Sequence, residues 1–131
     1  MQVSPKSRGR AKPSGSRIEI FIWYFMRVSG VALFVLALAH FSILHFVYDP
    51  ANQTSDFILS QRWSQVFWRV NDWCLLTLVV LHSTFGVRTV VNDYIHAPRG
   101  RVITLSVLYF LTLLLLAGGT VAVMTARAPG A

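Results

Sequence analysis

The sequence has one cysteine, Cys74, five acidic residues in all, and no formal charge whatever from Val102 to Ala126. A lone cysteine closes no internal disulfide, and without neighbours of its kind it builds neither a zinc nor an iron–sulfur site. Cys74 stands in an apolar stretch and is read as packing. No acid precedes Glu19, and there is neither an internal repeat nor a low-complexity tract beyond roughly the first fifteen residues. Solenoid and linker architectures are therefore excluded.

What fills the chain is apolar. It has 131 residues, of which 54% are hydrophobic, and a mean hydropathy of +0.54. That is too apolar for a soluble domain and too short for an enzyme with its own large cleft. A net charge of +7 invites a nucleic-acid reading, yet five of the twelve basic residues (Lys6, Arg8, Arg10, Lys12, Arg17) precede the first apolar run. Positive charge in that place is a topology signal, and the arm suits a surface of anionic headgroups. No nucleic-acid partner is expected. The apolar run is longer than the core of a signal peptide, so it reads as an anchor. Pro5, Pro13 and Gly15 spoil the amphipathic helix that an organellar transit peptide would need.

A bilayer core takes about 20 apolar residues as helix. Val28 to Val47 supplies twenty without Lys, Arg, Asp or Glu, and the span begins near Ile20, because Phe21 to Phe25 are apolar and Trp23 and Tyr24 suit the headgroup level. Asp49-Pro50 ends it. A polar connection over residues 51–62 follows, with room for a short interfacial helix. The second span is uncharged from Trp73 to Val87, with Arg69, Asn71 and Asp72 just before it; Arg69 and Asp72, at i,i+3, are placed to pair. The third, Val102 to Ala126, contains Gly118-Gly119, where a close helix contact is expected. The fold class is thus an all-α membrane protein of three transmembrane helices, part of a heteromeric helical bundle. Its parts are a basic cytoplasmic arm (1–19), a three-helix anchor (20–126, spans about 20–47, 64–91 and 102–126) and a short extracytoplasmic tail (127–131). The arm and the loop with Arg88, Arg99 and Arg101 fall on one side, against Arg62, Arg69 and Arg127 on the other. The richer side is assigned to the cytoplasm.

His40, His45 and His82 lie in these spans, where an imidazole is costly unless it is hydrogen-bonded or bound to something. His82 has Gly86 one turn away on the same face, which leaves room for a flat macrocycle or for another helix. It is read either as a haem ligand or as a histidine bonded to a neighbouring helix. Eleven residues on, about three helical turns, come Asp93 and Tyr94. A phenol can donate to a quinone carbonyl and a carboxylate can orient it or relay protons; Tyr94 is equally an ordinary aromatic-belt residue. His96, beside Pro98, is read as a surface residue.

The run from His82 through Gly86-Val-Arg88 to Asp93-Tyr94, with Arg27-Val-Ser29-Gly30 at the head of the first span, resembles the membrane-anchor subunits of succinate dehydrogenase and fumarate reductase (respiratory complex II). The resemblance covers about residues 20–126. It favours the D-type anchor, since that type carries His followed by Asp-Tyr at this spacing. The C-type has a His directly before the Arg of its first helix, where this chain has Met26. The Gly86-Val-Arg88 element is closer to the C-type.

What the resemblance implies follows. His82 is one axial ligand of haem b and binds its iron, Tyr94 and Asp93 serve a quinone (menaquinone or ubiquinone), Arg27 lies near a haem propionate or the quinone, and Ser29 is a further quinone candidate. The second axial histidine comes from a companion C-type anchor. FAD and iron–sulfur clusters belong to the flavoprotein and iron–sulfur subunits. His40, deeper than His45, is the candidate for a second haem, the alternative being buried hydrogen-bonding histidines. The expected setting is a bacterial plasma membrane, crossed several times, with the N-terminus cytoplasmic. Rival readings are a haem-free structural anchor, a fumarate reductase anchor, and the cytochrome b subunit of another respiratory oxidoreductase.

Overall fold

The computed structural model of the chain describes residues 16–126. Lys6, Arg8, Arg10 and Lys12 of the basic arm, and Arg127 with the rest of the tail, lie outside the described residues. Three helices are long and apolar enough to cross a membrane: Arg17–Val47, Val66–Tyr94 and Pro98–Thr125. We label them α1 (Arg17–Ser42, continued by a π-helical turn at Ile43–Val47), α2 (Val66–Tyr94) and α3 (Pro98–Thr125). At about 1.5 Å per residue each exceeds a hydrocarbon core of about 30 Å, so their ends reach beyond it unless strongly tilted.

Local chemistry sets the ends. The Ser16 hydroxyl accepts from the Glu19 amide at 3.3 Å, capping α1, and Glu19 stands in the first turn where a negative charge suits the helix dipole. At the other end the Asp49 carboxylate accepts from the Ala51 amide at 3.0 Å and the Asn52 side chain at 2.9 Å, turning the chain through Pro50–Asn52. The Gln53 amide reaches back to the carbonyl of Leu44, one of the groups that the end of a helix leaves without a partner. The expected interfacial helix is one α-turn, Ser55–Phe57, capped by Thr54 and followed by a π-helical turn, Ile58–Arg62. Pro98 at the first position of α3 needs no amide partner there.

The helices run up, down and up, and α2 packs against both α1 and α3. Among the described residues the buried apolar side chains are Ile22, Val91 and Val123, whereas Phe34, Phe46 and Leu113 stand wide open. In water that would be untenable; in lipid, helices are joined instead by close packing and by polar contacts. The α2–α3 seam has both. Thr84 Oγ lies 2.8 Å from Thr112 Oγ, and the Trp73 indole donates to Thr120 Oγ at 3.0 Å. Gly119 lets Leu76 approach so closely that a Cβ there would collide with it, while Gly118 faces open space. The expected glycine contact is made by the second of the pair alone.

Candidate functional site

Two polar assemblies occupy opposite ends of the bundle. At the end where α1 begins and α2 finishes, i,i+4 spacing aligns Glu19, Trp23 and Arg27 on one face of α1. Opposite them α2 presents Gly86, Thr89, Val90 and Asp93. A groove of about 660 Å³ lies between, lined also by Met26, Arg88 and Asn92. The Arg27 guanidinium rests over the Trp23 ring, 4.2 Å from its centre, where the face of the indole attracts the cation. Gly86 leaves its part of the groove floor without a side chain; a Cβ there would come into ordinary contact, 3.6 Å, with the Met26 methyl. Two guanidiniums and two carboxylates thus face one cavity.

Next to this groove, one turn deeper, is His82. Its Nδ1 lies 2.8 Å from the Ser29 hydroxyl of α1, and Ser29 is 2% exposed. A Cβ on Gly30 would sit 3.6 Å from His82 Cε1, in ordinary contact, so Gly30 leaves space between α1 and the ring edge. Among the described residues nothing hydrogen-bonds to Nε2. Tyr94, the last residue of α2, is 80% exposed and is not among the residues lining the groove. His96 lies exposed in the loop to α3.

The opposite end gathers Asp72. Its carboxylate accepts from Arg62 at 2.7 Å, from the Trp63 indole at 3.1 Å and from Asn71 at 3.3 Å. Arg62 is 2% exposed, and its guanidinium also lies over Trp68. The sequence pairs Asp72 with Arg69; the structure pairs it with Arg62. Arg69 turns instead to the carbonyls of Met124 and Ala126, each at 3.2 Å, and to that of Trp63. The end of α3 leaves such carbonyls without helical partners, and a cation is favoured there by the helix dipole. His40 Nδ1 lies 3.5 Å from Asp72, outside hydrogen-bonding geometry, in a cavity of about 200 Å³ shared with Arg62, Trp68 and Asn71. His45 stacks on Phe41 with ring centres 4.1 Å apart.

The structure therefore brings Arg27 and Asp93 into one groove, sets Ser29 on His82 beside it, and keeps His40 at the far end. Sequence reasoning overlooked Glu19 and Asn92, used Trp23 only as a membrane signal, and used Arg88 as a topology charge and as part of the family motif without giving it a site role. The four-residue spacing back from Arg27 is the signal that could have found Trp23 and Glu19. Among the described residues no three or more His, Cys, Asp or Glu side chains cluster to hold a metal ion.

The geometry fits a haem held from one side. It offers one histidine with a fixed nitrogen and a nitrogen without a protein partner, a glycine-floored groove next to it, and cations suited to carboxylates. A family model described as succinate dehydrogenase/fumarate reductase transmembrane subunit matches residues 4–119. The succinate dehydrogenase hydrophobic membrane anchor subunit of Rickettsia typhi is 31% identical over 88 residues, which is 67% of this chain and 67% of that protein.

Proposed function

The chain belongs to the succinate dehydrogenase/fumarate reductase transmembrane subunit family, and from that premise we propose that it is the D-type anchor of a succinate:quinone oxidoreductase, binding haem b through His82 and helping to form the quinone-reduction site. The observation that carries this reading is His82 itself, held by one ring nitrogen across the α1–α2 contact beside a groove lined by Arg27, Arg88 and Asp93.

In the working complex, succinate is oxidised in the flavoprotein, and the iron–sulfur subunit delivers electrons to a quinone lodged between it and the two anchors. When bound, the haem would supply a one-electron carrier for electron transfer. This chain's residues do the rest of its share. Arg27 and Arg88, which line the same groove, offer guanidiniums to propionates or to a quinone oxygen. The Tyr94 hydroxyl donates a hydrogen bond to a quinone carbonyl, and Asp93 orients it or passes the protons that make quinol. The exposure of Tyr94 agrees with a pocket whose far wall is another subunit. The N-terminal arm and the α2–α3 turn, with Arg88 in the last turns of α2 and Arg99 and Arg101 in the first turn of α3, lie on the cytoplasmic side of a bacterial plasma membrane, by the excess of positive charge there.

His40 favours one haem over two. Its cavity, about 200 Å³ against about 660 Å³ for the groove near His82, is the smaller and is shared with Arg62, Trp68 and Asn71. The test is a reduced-minus-oxidised spectrum of the complex purified through a tag on this chain, with haem measured per flavin, for wild type and His82→Ala. One haem per flavin, lost in the variant, is expected. Two, with one surviving, would promote His40 or His45. None in intact wild type would leave a haem-free anchor.

A further inference from the structure

We infer that Ser29 is a positioning residue for the haem-binding histidine: it holds His82 by Nδ1 and so makes Nε2 the atom that meets iron. This rests on the haem reading of His82. Ser29 entered as a quinone candidate, but its hydroxyl is withdrawn from any ligand space; the residue is 2% exposed and sits 2.8 Å from Nδ1. Its other polar neighbour is the carbonyl of Met26 on its own helix, at 3.5 Å.

A hydroxyl has one proton to give and lone pairs to receive with. If Ser29 donates to the Met26 carbonyl, it accepts from a protonated Nδ1, and Nε2 keeps the lone pair that a metal needs. If it donates to Nδ1, the ring proton moves to Nε2 and blocks coordination. Binding of iron selects the first arrangement. Ser29 is thus the partner that metal-bound histidines use to set tautomer, ring angle and basicity. Gly30 stands beside the ring edge, where a Cβ would come only into ordinary contact with Cε1 at 3.6 Å. A ligand whose second nitrogen has an acceptor is the more electron-rich, which favours the ferric state and lowers the potential.

The measurement is a redox titration of the haem in the purified complex, with the low-spin electron paramagnetic resonance signal and the KM for quinone, for wild type, Ser29→Ala and Ser29→Thr. Ser29→Ala is expected to raise the midpoint, by up to about tenfold in the reduced-to-oxidised ratio at a fixed ambient potential, or about 59 mV for a one-electron couple. It should also displace the low-spin signal. Ser29→Thr, which keeps the hydroxyl, should restore both, and KM should stay unchanged throughout. Where Ser29→Ala does not assemble, Ser29→Cys replaces it, being close in size and a weak acceptor. A full complement of haem with unaltered potential and signal would overturn the inference. So would a raised quinone KM at unaltered potential, which would make Ser29 a quinone contact. A haem-free wild type would remove this inference together with the reading it rests on, whereas an unmoved potential in a haem-loaded variant removes this inference alone.

Discussion

Arg62 and Asp72 form an ion pair with side chains 2% and 14% exposed, 2.7 Å apart, at the end of the bundle away from the groove. Removing either partner should not cost the same. Replacing Asp72 by Leu strands a guanidinium that cannot give up its proton, which costs about 3–5 kcal/mol. Replacing Arg62 by Met leaves a carboxylate that keeps the Trp63 and Asn71 donors and can take up a proton, so about 1–3 kcal/mol is expected. Changing both together removes the charges and leaves mainly the Trp63 indole without its acceptor, about 1 kcal/mol. The double variant should therefore be more stable than Asp72→Leu alone. SDS-titrated unfolding of the purified complex in mixed micelles measures all four states of this cycle. The reasoning fails if Asp72→Leu is no worse than Arg62→Met, or if the double variant is as unstable as Asp72→Leu.

At Gly119 a valine would meet Leu76 at the α2–α3 seam, and the same unfolding assay should read a loss of about 1–3 kcal/mol; Gly118→Ala, facing open space in this chain, should stay within about 0.5 kcal/mol. Tyr94→Phe should lower succinate:quinone turnover by roughly tenfold, the worth of one hydrogen bond lost in the transition state. Turnover with a soluble dye that takes electrons directly from the flavoprotein should be unaffected, and an equal loss with both acceptors would place Tyr94 outside the quinone site.

The three helices were legible because the penalty for burying charge in hydrocarbon is large and local. Twenty uncharged residues from Val28 to Val47 and twenty-five after Arg101 leave little choice, and Asp49-Pro50 and Pro98 mark turns by their own backbone chemistry. The polar residues of the spans were legible as exceptions, since each demands a partner. Which partner it finds was legible only within a turn or two of helix. Arg69 and Asp72 satisfy the rule for i,i+3 pairs, yet the connector folds back and delivers Arg62 to the carboxylate, while the end of α3 draws Arg69 away.

Sequence alone determined that this chain is a three-helix membrane anchor, that its charge is lopsided, and that His82, Gly86 and Asp93 lie along one side of a helix. These follow from the 3.6-residue turn and the cost of charge in lipid, which need no tertiary contact. Only the tertiary structure decided that Ser29 is bonded to His82 across 53 positions of sequence, that Arg27 and Asp93 share a groove, and that Asp72 is the partner of Arg62. The rotation and register of α1 against α2 set those meetings. They come from many weak packing contacts, such as Gly30 near His82 and Leu76 against Gly119, that no short stretch of residues contains.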